Sequence, residues 1–187
     1  MRADAVRNTE QIRQAAITAF RERGLGVALE DVAAAAGVSK ATVYKRFGGR
    51  AGLIDAVIED LVARDVREIV ARSLAIADPW DQLVTYLSAI FDLQYREPAA
   101  IDVLMRAYPD STGVNDICHI GEETGHAIVR RGQEAGAIRA DFAPEDLGYI
   151  LFANGLALQH GPKPERTDYA RRLGFILDAM RTSPMTT

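Results

Sequence analysis

Apolar residues recur at three- and four-residue spacing along nearly the whole chain, the period of helices that bury one face. A first helix is predicted from about Thr9 to Arg23, with Ile12, Ala15, Ala16, Ala19 and Phe20 as its stripe. Asn8 with Gln11 resembles a capping box before it, and Gly24 closes it. Leu29, Val32, Ala33 and Ala36 form the apolar face of a second, short helix that ends at Gly37. Ser39 is a good N-cap for a third, which buries Val43 and Phe47. Ile12, Phe20, Val32, Val38, Val43 and Phe47 would form the core of this three-helix unit. Gly48-Gly49 precedes a longer helix from about Arg50 to Ser73. It is apolar on more than one side, as a connector between two bodies would be. Further helices are expected over Pro79 to Arg96, Pro98 to Tyr108, Val114 to Ala135, Pro144 to Gln159 and Thr167 to Arg181, with TSPMTT frayed beyond them. The reading is all-α: about nine helices, no strands and no internal repeat.

The segment LEDVAAAAGVSKATVYKRF, Leu29 to Phe47, carries the most chemistry. Its small apolar residues let two helices cross closely about the Gly37 turn, which is the layout of a helix-turn-helix. The outward face of the second helix presents Lys40, Thr42, Tyr44, Lys45 and Arg46, and no acid lies between Asp31 and Asp55. A surface that meets phosphates needs that exclusion, because neutralising phosphates supplies most of the binding energy. A helix of about eight residues is about 12 Å long, matching the width of a B-DNA major groove. Ser39, Lys40, Thr42, Tyr44, Lys45, Arg46 and Arg50 are therefore the candidate DNA-binding residues. Thr42, Tyr44 and Lys45 would read or position the groove. Lys40, Arg46 and Arg50 would hold phosphates, Arg50 beside the free amides of the helix it opens.

IRQAAITAFRERG followed by LEDVAAAAGVSKATVYKRFGGRAGLIDAVIED resembles the N-terminal domain of TetR-type transcriptional regulators, over about residues 5 to 65. Ala28 departs from the Ser or Thr usual before the first helix of the motif, which removes an N-cap. The resemblance implies an all-α homodimer with an N-terminal DNA-binding domain and a C-terminal ligand-binding domain. Domains are accordingly expected at 5–65, with the motif at about 28–47, and at 66–182.

Charge supports that division. Residues 1–50 carry nine Lys and Arg against five acids, and the remainder thirteen against twenty-one. A basic head on an acidic body suits a protein that holds DNA at one end. A single cysteine, Cys118, allows no disulfide within the chain and fits a reducing cytoplasm. No secretory signal is evident at the N-terminus, and no apolar run approaches a membrane span, so a cytoplasmic protein with no membrane partner is expected.

The C-terminal part offers a less specific constellation. Tyr86, Phe91, Met105 and Phe152, with the polar His119, Glu122 and His126, could line an effector pocket of unknown ligand. His119, Glu122 and His126 also share a helix face at i, i+3 and i+7, which leaves a small helical metal-binding protein or enzyme as the alternative reading. There is no HExxH, Walker loop, GxSxG or GxGxxG, so no catalytic residue, metal ligand or cofactor is assigned. Gly121, Gly125 and Gly132 are expected to serve close packing. In the last two helices Leu147, Ile150, Leu151, Asn154 and Leu158, then Leu173, Ile176, Leu177 and Met180, could cap a monomer core. The resemblance makes them a homodimer interface, a four-helix bundle of two helices from each subunit. The sequence thus reads as a ligand-responsive DNA-binding regulator, a repressor binding a palindromic operator as a homodimer.

Overall fold

The computed structural model describes residues 2–182, with side chains from residue 6 onward. The elements are α1 (Arg2–Arg23), α2 (Leu29–Ala35), α3 (Lys40–Phe47), α4 (Arg50–Ile58), α5 (Arg64–Leu74), α6 (Pro79–Arg96), α7 (Pro98–Leu104), α8 (Thr112–Glu134), α9 (Asp146–His160) and α10 (Arg166–Met180). A π turn, Glu59–Ala63, joins α4 to α5 without a break, so the described residues form nine helical rods and no strand. The fold is all-α, as the periodicity indicates. α1 starts at Arg2 rather than Thr9, so Asn8 lies inside the helix and caps nothing. α7 ends at Leu104 rather than Tyr108, and Arg106 just beyond it has a positive φ of 51°. Of the tail expected to fray, residues 183–187 lie outside the described residues.

The chain divides into two compact units. The first holds the residues up to Asp65 together with Arg96–Cys118, and the second holds Val66–Tyr95 and the residues from His119 onward. The sequence places all of 66–182 in one body, whereas the structure returns α7 and the start of α8 to the head. The reason is burial. α7 packs on α1 and on the π turn, and Ala99, Ala100, Ile101 and Val103 are buried. The core of this unit also includes Ile12, Phe20, Leu25, Val32, Val43, Leu53 and Ile54. Val38 and Phe47, expected in that core, are half-buried.

Arginines of α1 serve the backbone of the long rod. Arg13 donates to the Ala56 carbonyl and, at 3.0 Å, to Asp60 Oδ2, and Arg21 donates to the Asp60 carbonyl at 2.6 Å. A π turn disturbs the regular i→i+4 ladder, and side-chain donors can take up the carbonyls it leaves.

In the second unit Leu83, Tyr86, Leu87, Ile90 and Phe91 of α6 are buried, as are Ile128 and Val129 of α8. The glycines of α8 give close packing room. A Cβ on Gly125 would sit 2.8 Å from Leu147 Cδ2 and 3.4 Å from the Tyr86 ring, and one on Gly132 would collide with Ile138. Among the described residues no helix is long and apolar enough to cross a membrane.

Candidate nucleic-acid interface

The helix-turn-helix is built from local signals. Ala28 offers no side-chain cap to α2. At the other end Gly37, at φ 68°, donates to the Ala34 carbonyl at 3.1 Å, and Val38 donates to the Ala33 carbonyl at 2.9 Å. These two bonds are a Schellman motif, which needs a left-handed residue and so favours glycine. The chain turns there into α3. The Ser39 hydroxyl accepts from the Thr42 amide at 3.2 Å and lies 2.9 Å from the Thr42 hydroxyl. The cap therefore also fixes the Thr42 side chain. Val43 is fully buried and anchors α3 on the head.

The face opposite Val43 is cationic. Lys45 and Arg46 are exposed and make no hydrogen bond or ion pair among the described residues. Tyr44 is 49% exposed, its ring against Gly49, where a Cβ would lie 3.4 Å from Tyr44 Cε1. Lys40 is paired: its ammonium is 2.5 Å from Glu30 Oε1 and 5.6 Å from the Tyr44 ring centroid. The hydrogen bond between them holds the Glu30 carboxyl below its usual range and the Lys40 ammonium above its own. Both are exposed, so the pair is open to exchange with a phosphate.

Arg50 is placed differently from the sequence expectation. Its Nη1 donates to the Leu25 carbonyl at 2.5 Å, and its guanidinium lies 5.9 Å from the Tyr108 ring centroid. Asp102 holds the other side of the same peptide segment, Oδ2 accepting from the Leu25 amide at 2.6 Å. Leu25 itself is fully buried. The loop that leads from α1 into α2 is thus held at its amide, its carbonyl and its side chain, and it sets where the motif begins. Sequence reasoning missed Asp102. The available signal is a lone carboxylate inside the otherwise apolar PAAIDVL, since a buried charge requires partners. A second such tie joins α4 to the start of α8: Asp55 Oδ1 accepts from the Ser111 hydroxyl at 2.5 Å and the Gly113 amide at 2.9 Å.

The residues expected to line an effector pocket differ in burial. Tyr86 is buried, its hydroxyl donating to the Gly121 carbonyl at 2.7 Å, and burial pushes that phenol up. His119 and Glu122 are exposed and His126 half-buried on α8, while Met105 is half-buried in the first unit. Phe152 is 44% exposed. Only Phe91 of this set lines the cavity of about 320 Å³ in the second unit. The described residues contain no cluster of three His, Cys, Asp or Glu able to hold a metal ion, so the metal alternative lacks a site among them. Cys118 is buried and donates its thiol hydrogen to the Val103 carbonyl.

A glycine-turned, serine-capped helix with an acid-free cationic face defines a helix-turn-helix of the DNA-binding class. Residues 12–57 match the family model for bacterial regulatory proteins of the tetR family, and residues 78–181 match that for the C-terminal domain of SbtR-like transcriptional regulators. The chain belongs to the TetR family of DNA-binding transcriptional regulators. It is 39% identical over 88 residues to the HTH-type transcriptional regulatory protein RaaS of Mycobacterium tuberculosis. That match covers 47% of this chain and only 39% of the relative. The TetR regulator SCO0520 of Streptomyces coelicolor is 29% identical with a TM-score of 0.57, covering 94% of this chain and 99% of its own. The ketosteroid regulator KstR2 of M. tuberculosis shares the fold, with a TM-score of 0.65 at 19% identity over 95% of this chain and 96% of its own.

Proposed function

We propose that the protein is a ligand-responsive repressor, a homodimer that holds a palindromic operator and leaves it when a small molecule binds the C-terminal helices. The observation that carries the DNA half is the unpaired cations Lys45 and Arg46 on a helix whose exposed face holds no acid. Thr42 and Tyr44 then read or position the groove beside Lys45, whose long cation reaches either a base edge or a phosphate. Ser39 caps and aims the helix. Lys40 holds a phosphate by exchanging it for Glu30, and Arg50 acts by fixing the α1–α2 loop. The start of α4 has no side-chain cap, so its amides add to the phosphate site.

The dimer is supported by apolar surface on the last two helices. Tyr149 is 75% exposed, Phe152 44% and Phe175 60%, with Ile150, Leu151, Ile176 and Leu177 half-buried beside them. Large apolar side chains gathered on exposed helices mark an interaction face. Leu147, Leu173 and Met180, by contrast, are buried within one chain. Such a regulator works in the cytoplasm, where the DNA is.

The test titrates the purified chain onto labelled duplexes from the DNA upstream of its own gene and measures chains bound per duplex. The reading expects two chains per site, displaced by unlabelled operator and poorly by random DNA. One chain per site, or equal displacement by both competitors, overturns it.

A further inference from the structure

We propose that Ala41 is a further specificity-determining residue, its methyl group meeting the 5-methyl group of a thymine in each half of the DNA site. The proposal deepens the DNA-binding reading and rests on α3 entering the major groove. At about 3.6 residues per turn, Ala41 stands about 160° around α3 from Val43. Val43 is fully buried, so Ala41 points almost straight out of the head. Lys45, one turn on, stands equally far from Val43 on the other side, and both residues are exposed. Thr42 and Tyr44 stand about 100° from Val43, one on each flank, and Lys40 and Arg46 about 60° from it. An order of depth follows for a helix lying in a groove. Ala41 and Lys45 meet the floor first, and Lys40 and Arg46 face the walls.

The side chains that flank Ala41 are engaged elsewhere. Thr42 turns its hydroxyl back to that of Ser39, 2.9 Å away. Lys40 reaches Glu30 at 2.5 Å, and the Tyr44 ring rests against Gly49. A side chain of one methyl group among them leaves a shallow place on the outer face, where the helix can seat close to the base edges.

The chemistry of the groove then selects the base. On the major-groove edges of the four base pairs, the thymine 5-methyl group is the apolar projection, and the edge nitrogens and oxygens donate or accept hydrogen bonds. Ala41 can do neither with its side chain. An amino or carbonyl group set against it loses water without gaining a partner, whereas the thymine methyl loses only unfavourable contact with water. Burying one methyl group is worth about fourfold in affinity per half-site, and about fifteenfold where both half-sites make the contact.

The test replaces thymine with deoxyuridine, which lacks only the 5-methyl group, in a duplex selected by the full chain from a random pool. Each symmetric pair of thymines is replaced in turn, and affinity is measured by anisotropy. At one pair the replacement should weaken binding about fifteenfold. In Ala41→Gly the preference for thymine over uracil at that pair should disappear. Glycine also weakens the helix, but the preference is a ratio within one variant, so a general loss of affinity cancels. Ala41→Asn sets an amide in place of the methyl group and should bind the uracil duplex at least as well as the thymine duplex. Thr42→Ser removes the neighbouring methyl group of α3 and should leave the preference intact. A preference that survives in Ala41→Gly or Ala41→Asn, or one that Thr42→Ser abolishes, overturns the assignment. A selected duplex in which no thymine is methyl-sensitive overturns it too, while α3 stands as the groove-reading helix. A pool that yields no preferred duplex overturns both.

Discussion

Asp102→Ala tests whether the head depends on α7. In the structure the Asp102 carboxylate accepts from the Leu25 amide at 2.6 Å, and both residues are buried. Hydrogen bonds to charged groups contribute about 1.5–3 kcal/mol, and a buried amide left unpaired costs about 1–3 kcal/mol. Alanine removes the acceptor and leaves the Leu25 amide unpaired, so a destabilisation of about 2 kcal/mol is expected. For a chain of this size that lowers Tm by about 4–8 °C. Asp102→Asn keeps an acceptor oxygen without its charge and should fall between the two. The consequence for function follows from position, because Leu25 stands in the loop that delivers α2 to the motif. Operator affinity of Asp102→Ala, measured by anisotropy well below its Tm, should therefore fall as well. Calorimetric unfolding and DNA titration of the three proteins decide the matter. Unchanged Tm and affinity in Asp102→Ala would show that the Asp102–Leu25 tie does not hold the head together.

Arg50→Ala separates two roles. If Arg50 fixes the loop, Tm falls along with DNA affinity. If it holds a phosphate, Tm stays and the slope of log K against log salt becomes shallower by about 0.9 per chain. Lys45→Ala and Thr42→Ala should weaken operator binding more than random-DNA binding, by about 1–3 kcal/mol for each good hydrogen bond to a base edge that the substitution removes. Equal weakening on both DNAs for Lys45→Ala assigns Lys45 to a phosphate and leaves specificity to Thr42 and Tyr44. Glu30→Gln releases Lys40 from its pair and should raise affinity for operator and random DNA alike, with a steeper salt slope; unchanged affinity would show that Lys40 meets no phosphate. Phe152→Asp with Phe175→Asp should dissociate the dimer in sedimentation and weaken operator binding together, and a stable dimer would refute the α9–α10 interface.

The motif was legible in the sequence because its determinants are local. Gly37 supplies the left-handed turn, Ser39 caps the next helix, and Val43 sets which side of α3 is buried, all within seven residues. What escaped the sequence depends on partners far along the chain. Arg50 follows a glycine pair at the mouth of a helix and reads as a phosphate ligand, yet its partners are the Leu25 carbonyl and Tyr108. Lys40 reads as a free cation until Glu30, ten residues earlier, is placed beside it. The segment Arg96–Cys118 has ordinary helical periodicity, which says that it buries a face but not against which unit. Among the effector candidates, Tyr86 and Phe91 are core residues, since aromatic residues at helical spacing are chiefly buried.

The proposed dimer sets two copies of α3 on one symmetric DNA site. Its most direct test is selection of bound duplexes from a random pool, followed by hydroxyl-radical footprinting of the winner. The expected winner is an inverted repeat whose half-site centres lie about 34–36 Å apart, or a multiple of this, with symmetric protection abolished in Thr42→Ala. A winner that is asymmetric, or a pool that yields no preferred sequence at all, would contradict it.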